Sequence, residues 1–398
     1  MSDSYSDSDF EEGPLQQQRK LPKPEYPYRA GTILQIRRHI PPPPRGVYYR
    51  RNRQKPPKSI FLQGGQELVA TTAGSDVDDP EAREGKSLSD VDELQIIEKI
   101  RGGIGYAAQL VVCRRQGSDE TCVAKFFDPL YANGSTRYRA DDPHSWGINM
   151  DLDYSNEAAC YQELNPSLGG SVVPRYYGSW TTTFPIETDK GPAIRVVALI
   201  LLEHIHGVSL HKAELKHLSP AQCLDITARI LHCETLICSR GVEHLDLAPR
   251  NILVCDVHLA GTQPQDPGSG PPRVVILDFA RSKVRHLSAL RLGHPNVHIP
   301  VDFETPMSPI ECSWWWPPFD INEFGDDLFP GLLVPGLECS RMLDTAKWRT
   351  WLWDTFGGSS RYLPPPPDMS CADVGSEEGP GEYMLRHWEE KEKTRHDC

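Results

Sequence analysis

The sequence predicts an α+β fold of two lobes, a small β-rich lobe followed by a mainly helical one, with a cleft between them. Three observations predict it. Between Leu94 and Ile205, short strand-like runs surround a single helical segment. A long amphipathic helix follows, starting at Ser219 and ending at Gly241. Beyond it, short apolar runs carry or end in polar residues, the pattern of chemistry gathered at element ends.

Residues 1–92 read as a mostly disordered region. An acidic, serine-rich start leads to "RRHIPPPPRGVYYRRNRQKPPK", residues 37–58. This basic, proline-rich stretch fits a nuclear address or a nucleic-acid patch, but its composition favours a solvated linker. "SIFLQ" adds a short strand, and an acidic linker, residues 76–93, follows.

"LQIIEKIRGG" and "YAAQLVVCRR" then read as two strands about a glycine turn, and "ETCVAKFFD" as a third. Residues 128–154 are polar and irregular, which suggests an insertion. "SNEAACYQELN" reads as a helix: Ser155 or Asn156 can cap it, and Ala159, Cys160 and Leu164 share a face. "VVPRYYGSW" and "IRVVALILLEHI" are two more strands. After the long helix come "GVEHLDLAPRNILV", a loop at residues 261–272, and "RVVILDFARS", a strand ending in an acid. The ordered unit is thus residues 93–362, split into 93–205 and 206–362, with a flexible tail at 363–398. Tryptophan- and proline-rich sequence beyond Phe324 points to a shortened second lobe, and Trp314, Trp315 and Trp316 read as packing.

Composition excludes several classes. The 398 residues suit one large domain or two modest ones plus tails, and 36 prolines explain a hydrophobic content of only 38%. A net charge of −13 argues against nucleic-acid binding by the chain as a whole. The 11 cysteines are odd in number and lack a C-x-x-C pair, which argues against a disulfide framework or a zinc ribbon. Reduced thiols in a cytoplasmic or nuclear protein are the expectation. No signal peptide opens the chain, "VVALILL" is too short to span a bilayer, and Cys398 at the end forms no prenylation box.

Four stretches carry chemistry. Gly103 and Gly105 in "GGIGYAAQL" would let backbone N–H groups approach phosphate oxygens. Lys125 lies on the apolar strand "VAKFF", where an ammonium needs a counter-charge. His244, Asp246, Arg250 and Asn251 sit among leucines, and Asp278 ends an apolar strand.

Together these stretches resemble the protein-kinase fold, especially its divergent fungal protein-kinase-like members, over residues 95–279. The glycine turn resembles G-x-G-x-x-G-x-V, with Ala108 at the third glycine and Leu110 at the valine. The resemblance implies that Lys125 contacts ATP phosphates and pairs with a helix glutamate. Glu157 is the matching acid and Glu163 its rival, but only one can face the strand. Residues 244–251 resemble H-R-D-L-x-x-x-N. Asp246 would then orient the acceptor hydroxyl, Asn251 and Asp278 would hold Mg²⁺, and His244 would fix the loop. Leu202 would lie behind the adenine, with the backbone of Glu203 and Ile205 offering it donors and acceptors.

The departures matter too. Leu245 replaces the arginine of H-R-D, which implies activity independent of activation-loop phosphorylation. Ala248 replaces the loop lysine, and "DLAPRN" is closer to the tyrosine-kinase "DLAARN", with Arg250 offering positive charge. Ala280 replaces the glycine after Asp-Phe, so a Cβ restricts that turn. "SPIE" at 308–311 is a poor A-P-E, and "FDINEFG" with Asp320 only weakly matches D-x-W-S-x-G. The resulting expectation is ATP- and Mg²⁺-dependent phosphoryl transfer to a protein hydroxyl, with neither nucleic acid nor a membrane span involved. A pseudokinase binding module and a small-molecule kinase of the aminoglycoside/choline type are the alternatives.

Overall fold

The structure is a computed structural model and describes residues 24–44, 49, 59–61, 67–69, 90–103, 106–131, 143–188, 191–213, 218–255, 273–288, 305–306, 308–312, 345–365 and 370–371. Gly105, the tryptophans at 314–316, Asp320, the loop at 261–272 and most of the tail lie outside the described residues.

The first half is β-rich. Strands β1 (Ile33–Arg38), β2 (Ser59–Phe61), β3 (Glu67–Val69), β4 (Val91–Arg101), β5 (Gln109–Arg115) and β6 (Thr121–Phe127) precede helix α1 (Pro143–Leu168). Strands β7 (Tyr176–Thr188) and β8 (Gly191–Glu203) follow it. Six of these strands close into a barrel in the order β1-β4-β5-β6-β8-β7. All six neighbouring pairs are antiparallel.

The period of two along each strand sorts side chains between two cores. On β6, Cys122, Ala124 and Phe126 join the barrel interior, while Phe127 joins the second core against α1. On β8, Val197, Leu199 and Leu201 point into the barrel; Ala198, Ile200 and Leu202 belong to the α1 side.

Within residues 1–92, which the sequence reads as mostly disordered, Ile33–Arg38 form a strand of the barrel. Leu34 and Ile36 alternate into its interior, and Ile36 faces Asp92 of β4 and Thr182 of β7. Without β1, the β4 and β7 edges would present unpaired N–H and C=O groups. The residues before β1 are also fixed. Tyr28 is fully buried and donates to Asp128 Oδ2 at 2.5 Å, and Arg195 Nη1 reaches both Asp128 oxygens at 2.6 and 2.7 Å. The Arg195 guanidinium lies over the Phe184 ring. Part of the basic stretch is likewise structural: Arg38 donates to the Tyr177 carbonyl and covers the Trp180 ring. His39 Nδ1 lies 2.6 Å from the Tyr154 hydroxyl, which ties the end of β1 to α1.

Helix α1 begins 12 residues before Ser155, within the stretch that reads as an irregular insertion. Pro143 at its first position suits a helix start, where no N–H bond is lost. Ser155 is therefore not a cap; its hydroxyl donates to the Leu152 carbonyl inside the helix. Met150, Tyr154, Ala158, Tyr161, Leu164 and Leu168 recur at intervals of three and four and are all buried.

Among the described residues the second half mixes helices with short strands. It contains β9 (Val208–Ser209), α2 (Pro220–Ser239), β10 (Val242–Glu243), β11 (Ile252–Cys255), β12 (Arg273–Ile276), β13 (Lys283–Val284), the single turn α3 (Pro309–Cys312) and α4 (Thr345–Phe356). Helix α2 starts with a capping box, in which Ser219 and Gln222 satisfy each other's backbone N–H groups. Strands β12, β11 and β9 form one small sheet, and β10 pairs with β13. Trp348, Leu352 and Phe356 of α4 join the core that contains α1 and α2. Tyr362 is buried and its hydroxyl lies 2.7 Å from His232 Nδ1. Among the described residues, no helix is long and apolar enough to cross a membrane.

Candidate functional site

Alternation along β6 directs Lys125 away from the barrel interior and toward α1. There its Nζ lies 2.6 Å from Glu157 Oε2 and 2.8 Å from Asp278 Oδ1. Glu157 sits on the buried face of α1, one residue before Ala158. Glu163 is turned away, with its carboxylate 3.9 Å from His286. Burial works against the Lys125 ammonium, but Asp278 and Glu157 outweigh it and raise its pKa above the usual lysine value. Burial likewise pushes Glu157 up to about 7, against the pull of Lys125.

Asp278 follows β12 at a φ of 63°, in the left-handed region that aspartate tolerates better than most residues. Phe279 locks this turn: it is fully buried and packs edge-on against Tyr161 and His244 at 5.1 and 4.8 Å. Ala280 is buried in the short 3₁₀ turn that follows, so the strained φ falls on Asp278.

The loop before β11 is held by its own polar residues. His244 is buried; its Nε2 lies 2.9 Å from the Leu277 carbonyl, and its Nδ1 accepts from the Asp246 N–H at 3.3 Å. Burial lowers its pKa, so the ring is neutral, donating through Nε2 and accepting through Nδ1. Asn251 Nδ2 donates to the Asp246 carbonyl at 2.9 Å and to Asp246 Oδ2 at 3.3 Å. The N–H of Leu277 donates to the Asn251 carbonyl at 2.8 Å, which joins this loop to the turn at Asp278. Arg250 donates to Asp246 Oδ1 at 2.7 Å. Between His244 and Asp246, Leu245 adopts a φ of 57° and is 42% exposed.

The glycine turn between β4 and β5 is described only in part. Ala108 is buried, and Gly103 has a φ of 113°. Gln109 is a participant the sequence reading missed. It is fully buried, and its Oε1 accepts from the Gly103 N–H at 2.5 Å and from the Tyr26 hydroxyl at 2.8 Å. A Cβ on Gly102 would collide with both the Gln109 oxygen and that hydroxyl. The signal was a polar residue at an inward strand position, which requires a partner. Arg281, also missed, places Nη1 3.8 Å from Asp246 Oδ1. The Glu203 N–H donates to the Arg175 carbonyl, and Ile205 follows in the connecting segment after β8.

Magnesium suits a few hard oxygen ligands. Asn251 fits this, since its Nδ2 is committed to Asp246 and its Oδ1 is the atom it can offer; Asp278 adds a carboxylate. Among the described residues, no cluster of three or more His, Cys, Asp or Glu side chains could hold a metal ion.

No protein-family model and no curated protein match the chain. Solved structures similar to it include the kinase PK-1 of the Cydia pomonella granulovirus, at 13% identity and a TM-score of 0.29, over 48% of this chain and 52% of that one. A crystal structure of a kinase domain aligns at 14% identity and a TM-score of 0.31, over 48% and 51% of the two chains. The chain spans about half the length of each. Likeness this distant carries no argument about fold or activity.

Proposed function

We propose that this chain is a kinase-like phosphotransferase that moves the γ-phosphoryl group of ATP to a protein hydroxyl. One observation carries the reading: a buried lysine held between two carboxylates from distant segments, Glu157 and Asp278. An ammonium so oriented suits the phosphates of a nucleotide. On this reading the barrel and α1 form one lobe, the residues from 206 onward form the other, and the site lies between them. A cytoplasmic or nuclear location goes with it.

Each residue then has a task. Lys125 orients phosphate oxygens, and Glu157 holds Lys125 in place. Asp246 positions the acceptor hydroxyl and takes its proton as the oxygen bonds to the γ-phosphorus; the bond to the β–γ bridging oxygen breaks and ADP leaves. Arg250 tempers the charge of Asp246 and fixes its carboxylate. Asn251 and Asp278 are the residues that would hold Mg²⁺, which when bound offsets charge on the phosphate oxygens. Gly103, Gly105 and Ala108 would cover the phosphates, and the backbone at Glu203 and Ile205 would meet the adenine.

Incubation with γ-labelled ATP, Mg²⁺ and a protein acceptor mixture tests this. Label transfer that disappears in Asp246→Ala supports the reading; no transfer, or transfer unaffected by that change, overturns it. A second reading, a nucleotide-binding module without turnover, is favoured by the Gly103 N–H being already bonded to Gln109. Mg-ATP binding with no label transfer would select it.

A further inference from the structure

Cys113 and Cys122 sit directly opposite each other on β5 and β6, facing the barrel interior. Their sulfurs are 3.4 Å apart. We propose that they form a redox modification site, a dithiol that a peroxide converts reversibly into a cross-strand disulfide in the barrel wall.

The backbone already permits the bond. Residues directly opposite in an antiparallel pair have Cα atoms about 4.5–5.5 Å apart. A disulfide needs about 4.4–6.8 Å between Cα atoms and about 2.0 Å between sulfurs. Side-chain rotation alone closes the remaining gap. The two thiols are also unequal. A hydrogen bond from Cys113 lowers the Cys122 pKa, with burial opposing and Arg115 assisting, while the same bond and burial raise that of Cys113. Cys122 is therefore the attacking sulfur. Both side chains are buried, but Cys122 is the second residue of β6, just after the largely exposed turn at residues 116–120. Fraying of this hairpin end admits a small oxidant.

The chemistry balances in two steps. The Cys122 thiolate attacks one oxygen of hydrogen peroxide; the O–O bond breaks, hydroxide leaves and takes up a proton, and Cys122 becomes a sulfenic acid. Cys113 sulfur then attacks Cys122 sulfur; the S–O bond breaks, water leaves with the Cys113 proton, and the S–S bond forms. Two thiols are oxidised to one disulfide, and one peroxide is reduced to two waters.

The site is independent of the phosphotransferase reading but close to its parts. On the other side of β6, Cys122 pairs with Glu203, and Lys125 lies three residues further along. Gln109, which holds the glycine turn, begins β5. A covalent rung would fix these two strands to each other. The loop it closes is short, so it gains less through chain entropy than a long-range cross-link would, and exchange with a thiol pool can reverse it.

The test is hydrogen peroxide treatment of the folded full chain, alkylation of residual thiols after unfolding, and tryptic mapping. Cleavage at Arg114 and Arg115 separates the two cysteines unless sulfur joins them. The expected result is a linked Cys113–Cys122 peptide lighter by two hydrogens, with both thiols lost together and both recovered with dithiothreitol. In Cys113→Ala, Cys122 should instead accumulate as a sulfenic acid trapped by a cyclic diketone. Both cysteines alkylated after other thiols have oxidised, or Cys122 linked elsewhere, would overturn the proposal. The map of the parent chain decides even if the variant does not fold.

Discussion

Lys125 and Asp278 are 153 residues apart in the chain, yet the lysine donates to the aspartate at 2.8 Å. The contact requires β6 to turn its odd-numbered residue out of the barrel and the turn after β12 to accept a left-handed φ at Asp278. A buried charge cluster of this kind is costly to assemble. Its members should therefore respond to ligand and to pH in distinct ways.

If a nucleotide replaces Asp278 as a partner of Lys125, Mg-ATP should stabilise the fold. At about 100 times Kd the gain is about 2.7 kcal/mol, a rise in Tm of roughly 5–10 °C. Differential scanning fluorimetry should show this rise in the parent and most of it lost in Lys125→Ala and Asp278→Ala. A parent Tm unmoved by saturating Mg-ATP would remove the nucleotide from the proposal.

The pKa of Glu157, raised to about 7 from 4.5, sets a pH dependence. The folded chain keeps a proton that the unfolded chain has released, so stability falls as pH rises. Glu157's contribution is complete below 4.5 and lost as pH climbs through about 7. Glu157→Gln has no such titration. Its Tm should gain on the parent's from about pH 5 to about pH 8, whatever the offset between them. Parallel curves would mean that Lys125 keeps Glu157 ionised throughout.

Asp128 and Arg195 form a pair buried in the barrel region, and removing one partner strands the other. Asp128→Ala should cost about 3–5 kcal/mol in chemical denaturation. Tyr28→Phe, which leaves the pair but removes one donor to Asp128, should cost about 1–3 kcal/mol. Equal effects would show that the tyrosine, not the ion pair, anchors this corner.

Leu245 holds a φ of 57° with no glycine to accommodate it. A left-handed backbone costs an ordinary residue roughly 1–2 kcal/mol. Leu245→Gly should therefore leave the fold equally stable or more stable by about 1 kcal/mol. Clear destabilisation would mean that the leucine side chain, despite its exposure, contributes packing that outweighs the strain.

The sequence disclosed some parts of this and concealed others, for physical reasons. Alternation in "ETCVAKFFD" showed a strand with a lysine on it, because apolar neighbours leave an ammonium few options. Glu157 and Glu163 could be told apart only in that one alone faces the strand. Strand β1 was hidden because its alternation covers only six residues inside basic, proline-rich sequence. Its strand character comes from partners 54 or more residues away in the chain, beginning with Val91 opposite Arg37. The start of α1 was hidden by polar composition before Met150. Gln109 was hidden because its partners, Gly103 and Tyr26, converge only after the barrel closes.

The register of β1 also orders events during synthesis. Ile36 pairs with Thr182, so the ring cannot seal until the chain has been made well past that residue. The β4–β5–β6 meander can form from neighbouring sequence while translation continues. On that side the first strand must wait for β7, and a ribosome-bound fragment ending before residue 176 has no partner for it.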